Sequence, residues 1–206
     1  MLVSALLGFL GTGFYSYSRG LFLPHLAETL DDGNRFNISM GFSCAVITGA
    51  LIAPYLGRYL DYGSPRKVVL YGVAIVSASY VLLAYVSNLV QFYFVVSVCM
   101  GLGMATMGGQ VWHRSVMNWF DHWRGRAIAF AVMGASVAGI VMPPLVNAMI
   151  EAIDWRNAYL VFGATSALAL FPSVYFFMRD RPEEIGEVRD GQQYVDDNPE
   201  EMVNIA

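Results

Sequence analysis

Arg19 is a cation inside an apolar run, and its neighbours suggest a polar face on one helix. Gly8, Thr12, Tyr15 and Arg19 recur at helical spacing and would lie on the same side. A guanidinium binds a carboxylate through its planar fork, so Tyr15 and Arg19 are candidate ligand-binding residues. The alternative is that Arg19 extends to the outer interface of a membrane and packs its stem against apolar neighbours.

A second set of polar residues lies in another apolar stretch. Thr106, Gln110 and His113 share a helical face with Gly103. This face could form the inner wall of a cavity, with Thr106 and Gln110 as hydrogen-bonding groups. His113 could carry a proton, because its ordinary pKa lies near neutrality. Alternatively, His113 is an interfacial residue beside aromatic and basic neighbours, which membrane interfaces favour.

The composition places these residues in membrane-spanning helices. Hydrophobic residues make up 56% of the 206 residues and charged residues 14%, against about a quarter in a soluble domain. A crossing helix needs about 20 apolar residues, and a helix satisfies its own backbone in lipid. The sequence therefore predicts an all-α membrane protein, a bundle of six transmembrane helices. The six runs are residues 2–23, 38–56, 68–86, 90–112, 127–150 and 159–177.

Basic residues mark every second link between these runs, and the opposite links contain only Arg35 and Arg156. The marked links contain Arg58, Arg66 and Lys67, then Arg114, Arg124 and Arg126, then Arg179 and Arg181. Because Lys and Arg are retained on the cytoplasmic side, we expect both termini in the cytoplasm and the bundle in the cytoplasmic membrane. Residues 1–178 would form the transmembrane domain. The acidic residues 179–206 would be a cytoplasmic tail or the start of an interdomain loop.

Small residues and prolines inside the runs predict how the helices pack. Rows of small residues at four-residue spacing let helix backbones approach closely in lipid. The rows are Gly101, Ala105 and Gly109 in the fourth run, and Gly134 and Ala138 in the fifth. Prolines are expected to bend or interrupt a run, because proline lacks a backbone donor and clashes with the preceding turn. They are Pro54, Pro143, Pro144 and Pro172.

The link between the second and third runs carries a motif. Residues 56–67 have the sequence L-G-R-Y-L-D-Y-G-S-P-R-K, which contains the pattern G-x-x-x-D-x-x-x-x-R-[RK]. Together with six apolar runs and a Gly-rich fifth run, this motif resembles the N-terminal half of a major facilitator superfamily transporter. The resemblance extends from about Gly11 to Gly186. Ser64 stands where that superfamily usually has glycine.

Two further segments narrow the resemblance. Residues 119–134 have the sequence W-F-D-H-W-R-G-R-A-I-A-F-A-V-M-G, and residues 179–186 have R-D-R-P-E-E-I-G. With Pro143–Pro144 and the sequence D-W-R at residues 154–156, they are similar to the monocarboxylate and oxalate–formate antiporter branch. The resemblance implies secondary transport of small organic anions, mono- or dicarboxylates, by alternating access. The chain would be one half of a twelve-helix fold and would need a second six-helix half, from its own continuation or another copy. Substrate would bind at Tyr15, Arg19, Thr106 and Gln110.

The resemblance also implies a gate at the cytoplasmic face. Asp61 would hold the link against a helix N-terminus or nearby guanidinium groups, both of which attract a carboxylate. Alternatively, Asp61 is a surface charge without such a role. The predicted gating residues are Gly57, Arg58, Asp61, Arg66, Lys67 and Arg124.

Other classes of function lack their sequence motifs. The chain has no P-loop, dinucleotide fingerprint, HExxH motif, cluster of His, Cys and Asp, or nucleophile elbow. We therefore expect no catalytic residues, cofactor, metal or nucleic-acid partner; the expected partners are the lipid bilayer and a small organic anion. Two alternatives stay open: an exporter of amphipathic compounds from the same superfamily, and a truncated membrane scaffold that does not transport.

Overall fold

The computed structural model describes residues 2–120, 122–180, 192–193 and 203–204. In these ranges the description leaves out the side chains of Leu2, Asp61, Tyr62, Gln110, Trp112, Ser115 and the four strand residues. The described elements are almost all helical. In chain order they are α1 (Leu2–Leu6), a π-helical segment (Leu7–Tyr17), α2 (Arg19–Leu30), α3 (Arg35–Tyr62), α4 (Pro65–Ala84), α5 (Leu89–Tyr93), a second π-helical segment (Phe94–Met100), α6 (Gly101–Met107), α7 (Gly109–Trp119), α8 (Arg124–Thr165), a third π-helical segment (Ser166–Leu170), α9 (Phe171–Phe177), β1 (Gln192–Gln193) and β2 (Val203–Asn204). The two short strands pair antiparallel.

These elements form six spans that correspond to the six predicted runs. Span one is residues 2–30, span two is α3, span three is α4, span four is residues 89–107, and spans five and six are residues 124–153 and 155–177. Spans five and six are separated at Asp154, whose backbone has φ 68° and ψ 154° inside the otherwise helical α8. Positive φ is uncommon outside glycine, and ψ 154° places Asp154 outside both the right-handed and the left-handed helical regions, so the helix is interrupted here. The all-α membrane fold is therefore confirmed.

Length and composition support membrane insertion. Among the described residues, four continuous helices are long and apolar enough to cross a membrane: Arg35–Leu60, Pro65–Ala84, Leu89–Met107 and Arg124–Phe177. The last has 54 residues, about twice what one crossing needs, and it contains spans five and six. Span one is interrupted by a turn at Ser18, between its π-helical segment and α2.

Spans one and five lie in parallel and approach closely. A Cβ built at Gly134 would overlap the backbone oxygen of Ala5, and one at Gly13 would lie 3.0 Å from Ala138 Cβ and 2.8 Å from Met142 Cγ. Because the contacts advance in the same sense along both chains, the two spans run in the same direction. The row of small residues in the fifth run therefore serves helix packing, as predicted.

Spans three and six lie antiparallel. Arg66, at the start of span three, contacts Tyr175 near the end of span six, whereas Ala84 at the end of span three accepts a hydrogen bond from Arg156. The links alternate between two ends of the bundle. We call the end with the link Gly63–Ser64 the inner end and the opposite end the outer end.

Aromatic side chains fill the core between spans one, three and six. Phe14 stacks on Phe162 at 4.0 Å between ring centroids, and Phe22 stacks on Tyr159 at 4.1 Å. Tyr80 meets the edge of Phe162 at 5.7 Å. All five side chains are buried, so they give these three spans a fixed mutual register.

Polar caps define the starts of three helices. Asn34 accepts a hydrogen bond from the Phe36 N–H at 3.1 Å, Asn88 from the Gln91 N–H at 2.9 Å, and Ser64 from the Lys67 N–H at 3.3 Å. Such oxygens satisfy backbone donors that a helix N-terminus leaves unpaired.

Two details differ from the sequence predictions. The link between spans two and three is shorter than residues 56–67, because α3 continues to Tyr62 and α4 starts at Pro65. The fourth run is not one helix: Gly108 is extended, with φ −64° and ψ 169°, and α7 continues beyond it to Trp119.

The prolines do not interrupt their helices. Pro54 lies inside α3, and Pro143 and Pro144 lie inside α8, so a bend is the remaining predicted effect. Pro172 lies in α9, which directly follows the third π-helical segment within the helix Arg124–Phe177, so it does not interrupt its helix either.

Candidate functional site

A cavity of about 740 Å³ lies between spans one and two. It follows span two from Ser39 to Ile47, which begins about one turn after the start of α3, so the cavity occupies the outer half of the bundle. Polar and apolar side chains share the wall. The lining residues are Ser16, Tyr17, Arg19, Gly20, Leu23, Ser39, Phe42, Ser43, Val46 and Ile47.

Arg19 is the charged residue of this lining. It is exposed, and among the described residues it has no hydrogen-bonded or ion-paired partner. Arg19 is the first of the 12 residues of α2, so about 16 Å of helix continues beyond it. Its guanidinium therefore belongs to the side wall of the cavity and not to the terminal turn of span one.

Three serines accompany Arg19 in the cavity. Ser43 donates its hydroxyl hydrogen to the Ser39 carbonyl oxygen at 3.1 Å. The hydroxyls of Ser16 and Ser39 form no hydrogen bond within the part of the chain that the structure describes. These serines were not among the predicted site residues. Their signal was present in the sequence: Ser16 precedes Arg19 by three residues, and Ser39 and Ser43 are one helical turn apart.

Two of the other three predicted substrate-binding residues, Tyr15 and Thr106, do not line the cavity. Tyr15 is half-buried and packs against the apolar core. Thr106 donates its hydroxyl to the carbonyl oxygens of Leu102 and Gly103, both at 3.0 Å, and faces Gly72 of span three. The Gln110 side chain lies outside the described residues. Of the four predicted residues, the structure thus places Arg19 in the cavity and does not bring Tyr15 or Thr106 to it.

His113, the predicted proton-coupling residue, lies in α7 beyond span four. It is half-buried, and burial lowers the pKa of its imidazole below the ordinary value of 6.5. α7 follows the break at Gly108 and leads to the inner end, whereas the cavity occupies the outer half. A proton on His113 would therefore reach the cavity only through the intervening part of the bundle.

At the inner end, Asp180 caps span three. Its carboxylate accepts a hydrogen bond from the Ser64 hydroxyl and another from the Arg66 backbone N–H at 2.8 Å. A carboxylate at a helix N-terminus is favoured by the helix dipole. The Arg66 guanidinium donates to the Tyr175 carbonyl oxygen and lies over the Tyr175 ring, 5.2 Å from its centroid.

The same segment is also bound by α7. Asn118 donates its side-chain N–H to the Asp180 carbonyl oxygen at 3.2 Å, and Trp119 donates its indole N–H to the Arg179 carbonyl oxygen at 3.1 Å. The residues that leave span six are therefore held by the start of span three and the end of α7. We call this set, Ser64, Arg66, Asn118, Trp119 and Asp180, the inner clasp.

The predicted gating residues fall around this clasp. Gly57 and Arg58 lie in the last turns of α3, and Lys67 lies in the first turn of α4. Arg124 starts α8, and its Nε donates to the Phe120 carbonyl oxygen at 3.4 Å. The Asp61 side chain is outside the described residues, so its role as a lock stays a prediction. Asp180, the carboxylate that the structure does place on a helix N-terminus, was not among the predicted residues.

The fold and the cavity define an integral membrane protein with a polar recess between two of its spans. A sequence model of the Major Facilitator Superfamily matches residues 6–197, and the chain belongs to that superfamily. This confirms the family predicted from the loop motif.

Individual relatives are more distant. The chain is 26% identical over 173 residues to the uncharacterized MFS-type transporter YcxA of Bacillus subtilis (strain 168), covering 84% of this chain and 42% of that protein. It is 24% identical over 147 residues to monocarboxylate transporter 11 of Homo sapiens, covering 71% and 31%. It is 28% identical over 129 residues to the probable L-galactonate transporter of Escherichia coli (strain K12), covering 62% and 27%. The chain thus spans less than half the length of these relatives.

Proposed function

We propose that the protein carries small organic anions, mono- or dicarboxylates, across the cytoplasmic membrane by secondary active transport. The observation that carries this proposal is Arg19, whose cavity-lining side chain has no ion pair among the described residues. A carboxylate would supply the missing partner through two parallel hydrogen bonds to the guanidinium. Relatives named as monocarboxylate and L-galactonate transporters support the same class of substrate.

The surroundings of Arg19 favour a water-filled pathway over lipid. A charged side chain within a membrane-spanning region normally faces a bundle interior or an aqueous cavity, because lipid cannot solvate it. The hydroxyls of Ser16, Ser39 and Ser43 line the same recess. The face of spans one and two that bears these residues would therefore line the route of the substrate.

This route needs a second wall. In major facilitators two six-helix halves rock about a site near the midplane, and the six spans described here form one such half. We propose that the partner half closes the cavity opposite spans one and two. The cations at the inner end support the proposed orientation, with that end in the cytoplasm.

Export of amphipathic compounds is the second candidate. It is favoured by the apolar part of the cavity wall, where Leu23, Phe42, Val46 and Ile47 could pack against a hydrophobic cargo. The two candidates differ in their dependence on Arg19. A carboxylate requires the guanidinium, whereas a neutral amphipathic cargo does not.

Arg19→Gln tests the proposal in the native-length polypeptide purified from its source membrane and reconstituted in proteoliposomes. We expect the concentration of radiolabelled lactate or oxalate that half-saturates uptake to rise at least tenfold, because a charged hydrogen-bonding partner is lost. Arg19→Lys should give an intermediate value, because lysine retains the charge without the planar fork. Arg35→Gln is the matched control, since Arg35 is also an exposed cation near the outer end but lies outside the cavity.

Two results would overturn the proposal. One is carboxylate uptake that is equal in the wild type and in Arg19→Gln. The other is uptake of a neutral amphipathic dye by both proteins with no competition from carboxylates, which would support the exporter.

A further inference from the structure

We infer that Ser16, Ser39 and Ser43 select polyhydroxylated monocarboxylates, acids with hydroxyl groups on several carbons, over unsubstituted carboxylates. This inference rests on the proposed function, because it assigns the carboxylate of such a ligand to Arg19. It concerns the three serines that line the cavity beside Arg19.

Several hydroxyls in the described spans, unlike those of Ser16 and Ser39, are satisfied within their own helix. Thr48, Ser79 and Ser173 each donate to the carbonyl oxygen four residues earlier in their own helix, at 3.1, 2.7 and 2.5 Å. This is the usual way in which an apolar helix satisfies a hydroxyl. In the described ranges, Ser16 and Ser39 form no such bond, so their donors are available to a ligand in the cavity.

The serines provide both donors and acceptors. Ser43 uses its hydrogen on the Ser39 carbonyl oxygen at 3.1 Å, and its oxygen lone pairs stay available to accept. Ser16 and Ser39 retain donor and acceptor capacity. A substrate hydroxyl is itself a donor and an acceptor, so it matches this combination, whereas a methyl or methylene group would leave these polar groups unpaired.

The positions of the serines require hydroxyls on more than one carbon. Ser39 and Ser43 lie one turn apart on span two, about 6 Å along the helix axis, and Ser16 lies on the opposite wall, one turn before Arg19. An acid with a single hydroxyl next to its carboxylate could reach only the serine nearest to Arg19. A chain of several hydroxylated carbons could contact both walls.

Charge and size agree with this class of ligand. Arg19 is the charged residue that the described part of the chain contributes to the lining, so this wall pairs with one carboxylate. The volume of about 740 Å³ lies within the usual range of small-molecule sites. It exceeds what an acid of two or three carbons would fill.

The test is a competition series with the native-length protein in proteoliposomes, with radiolabelled gluconate as the transported probe. Unlabelled propionate, lactate and glycerate are three-carbon acids with zero, one and two hydroxyls, and gluconate is a six-carbon acid with five. We expect the half-inhibitory concentration to fall along this series, by about tenfold or more from propionate to gluconate, as additional hydrogen bonds form. In the double variant Ser16→Ala/Ser39→Ala the series should become flat, because gluconate loses its additional hydrogen bonds.

Ser173→Ala is the matched control, because its hydroxyl is satisfied within its own helix away from the cavity, and it should retain the wild-type order. Thermal unfolding of each variant in detergent shows whether folding is intact.

Equal inhibition by all four acids in the wild type would overturn the inference, and so would an order that survives the double substitution. The proposed function would still stand in both cases if Arg19→Gln weakens all four acids. Inhibition by neutral sorbitol equal to that by gluconate, and unaffected by Arg19→Gln, would overturn both.

Discussion

Asp180 connects two parts of the chain that are far apart in sequence. Its side chain caps the N-terminus of span three, and its carbonyl oxygen is bound by Asn118 beyond span four. Ser64 makes this possible, because its hydroxyl bridges the Asp180 carboxylate and the Lys67 N–H. Ser64, which stands where the superfamily motif usually has glycine, thus has a structural role.

Asp180→Asn should destabilise the inner end. The amide keeps one acceptor oxygen but loses the negative charge that faces the N-terminus of α4 and the Arg66 backbone N–H. We expect a loss of about 1 kcal/mol in the free energy of unfolding, measured by thermal or denaturant unfolding in detergent. Glu28→Gln is the control, an exposed carboxylate in α2 near the outer end. A melting temperature identical to the wild type would show that the charge of Asp180 contributes no stability.

His113 gives a pH dependence with a defined sign. Burial lowers the pKa of His113 below 6.5, so the folded protein binds this proton more weakly than the unfolded chain. The stabilising effect of the neutral imidazole is therefore present above pH 6.5 and is lost as the pH falls from 6.5 through the lower folded-state pKa. His113→Gln should remove this acid-dependent loss of stability.

The same variant tests proton coupling. If His113 carries the coupled proton, His113→Gln should also remove the pH dependence of substrate uptake over that window, while His25→Gln should retain it. An uptake profile that His113→Gln leaves unchanged would end the coupling hypothesis. The acid sensitivity of unfolding would still report the burial of the imidazole.

At the scale of elements, the contact between spans one and five sets a strict steric limit. A side chain at Gly134 would collide with the backbone of Ala5, its Cβ lying 2.7 Å from the Ala5 carbonyl carbon. Backbone atoms cannot move aside as the end of a flexible side chain can. The two helices would have to separate.

Gly134→Val should therefore lower the folded yield in membranes and reduce stability by about 3 kcal/mol, at the upper end of the usual cost of overpacking. Gly57→Ala is the control, because a Cβ at Gly57 meets nothing within 4 Å inside the helix α3. Alanine also favours a helix interior by about 0.5–1 kcal/mol. Size-exclusion profiles and unfolding midpoints that are the same for both variants would contradict this packing.

The sequence predicted the elements well because the signals for spans are local. Apolar runs about 20 residues long and alternating basic links needed no knowledge of tertiary contacts. The break at Gly108 was missed although the pair Gly108–Gly109 is a local signal for a turn. Asp180 was missed because it contacts Ser64 and Arg66 across more than 100 residues, a pairing that no local pattern shows.

The candidate site was predictable only in part for the same reason. Arg19 stood out as a charge in an apolar run. Thr106 shares its helical spacing with Gln110, yet its hydroxyl returns to its own helix and its face meets Gly72. Helical spacing gives the side of a helix, and only packing decides whether that side meets a cavity or another helix.

At the scale of the whole molecule, the six spans would provide one wall of the proposed substrate pathway. The contacts of spans one, three and six form a single aromatic core, so this half should move as one body. Alternating access requires a second body against which the first can rock. Exposed apolar residues on span two, including Val46, Ile47 and Leu51, are available to such a partner or to lipid.

A strictly monomeric form of the 206-residue chain should therefore show no substrate-dependent transport in liposomes. The chain has one wall of the cavity, and a ligand at Arg19 would stay accessible from the side that the second half would cover.

The measurement is uptake of labelled carboxylate at one copy per vesicle, compared with vesicles that hold many copies and with the native-length polypeptide. The mass of the native polypeptide in its source membrane can be determined with an antibody to residues 58–67. A native species of about twice this length should transport alone, whereas a native species of this length should transport only as a crosslinkable pair. Saturable uptake by single 206-residue copies would show that six spans suffice, and the need for a second half would be refuted.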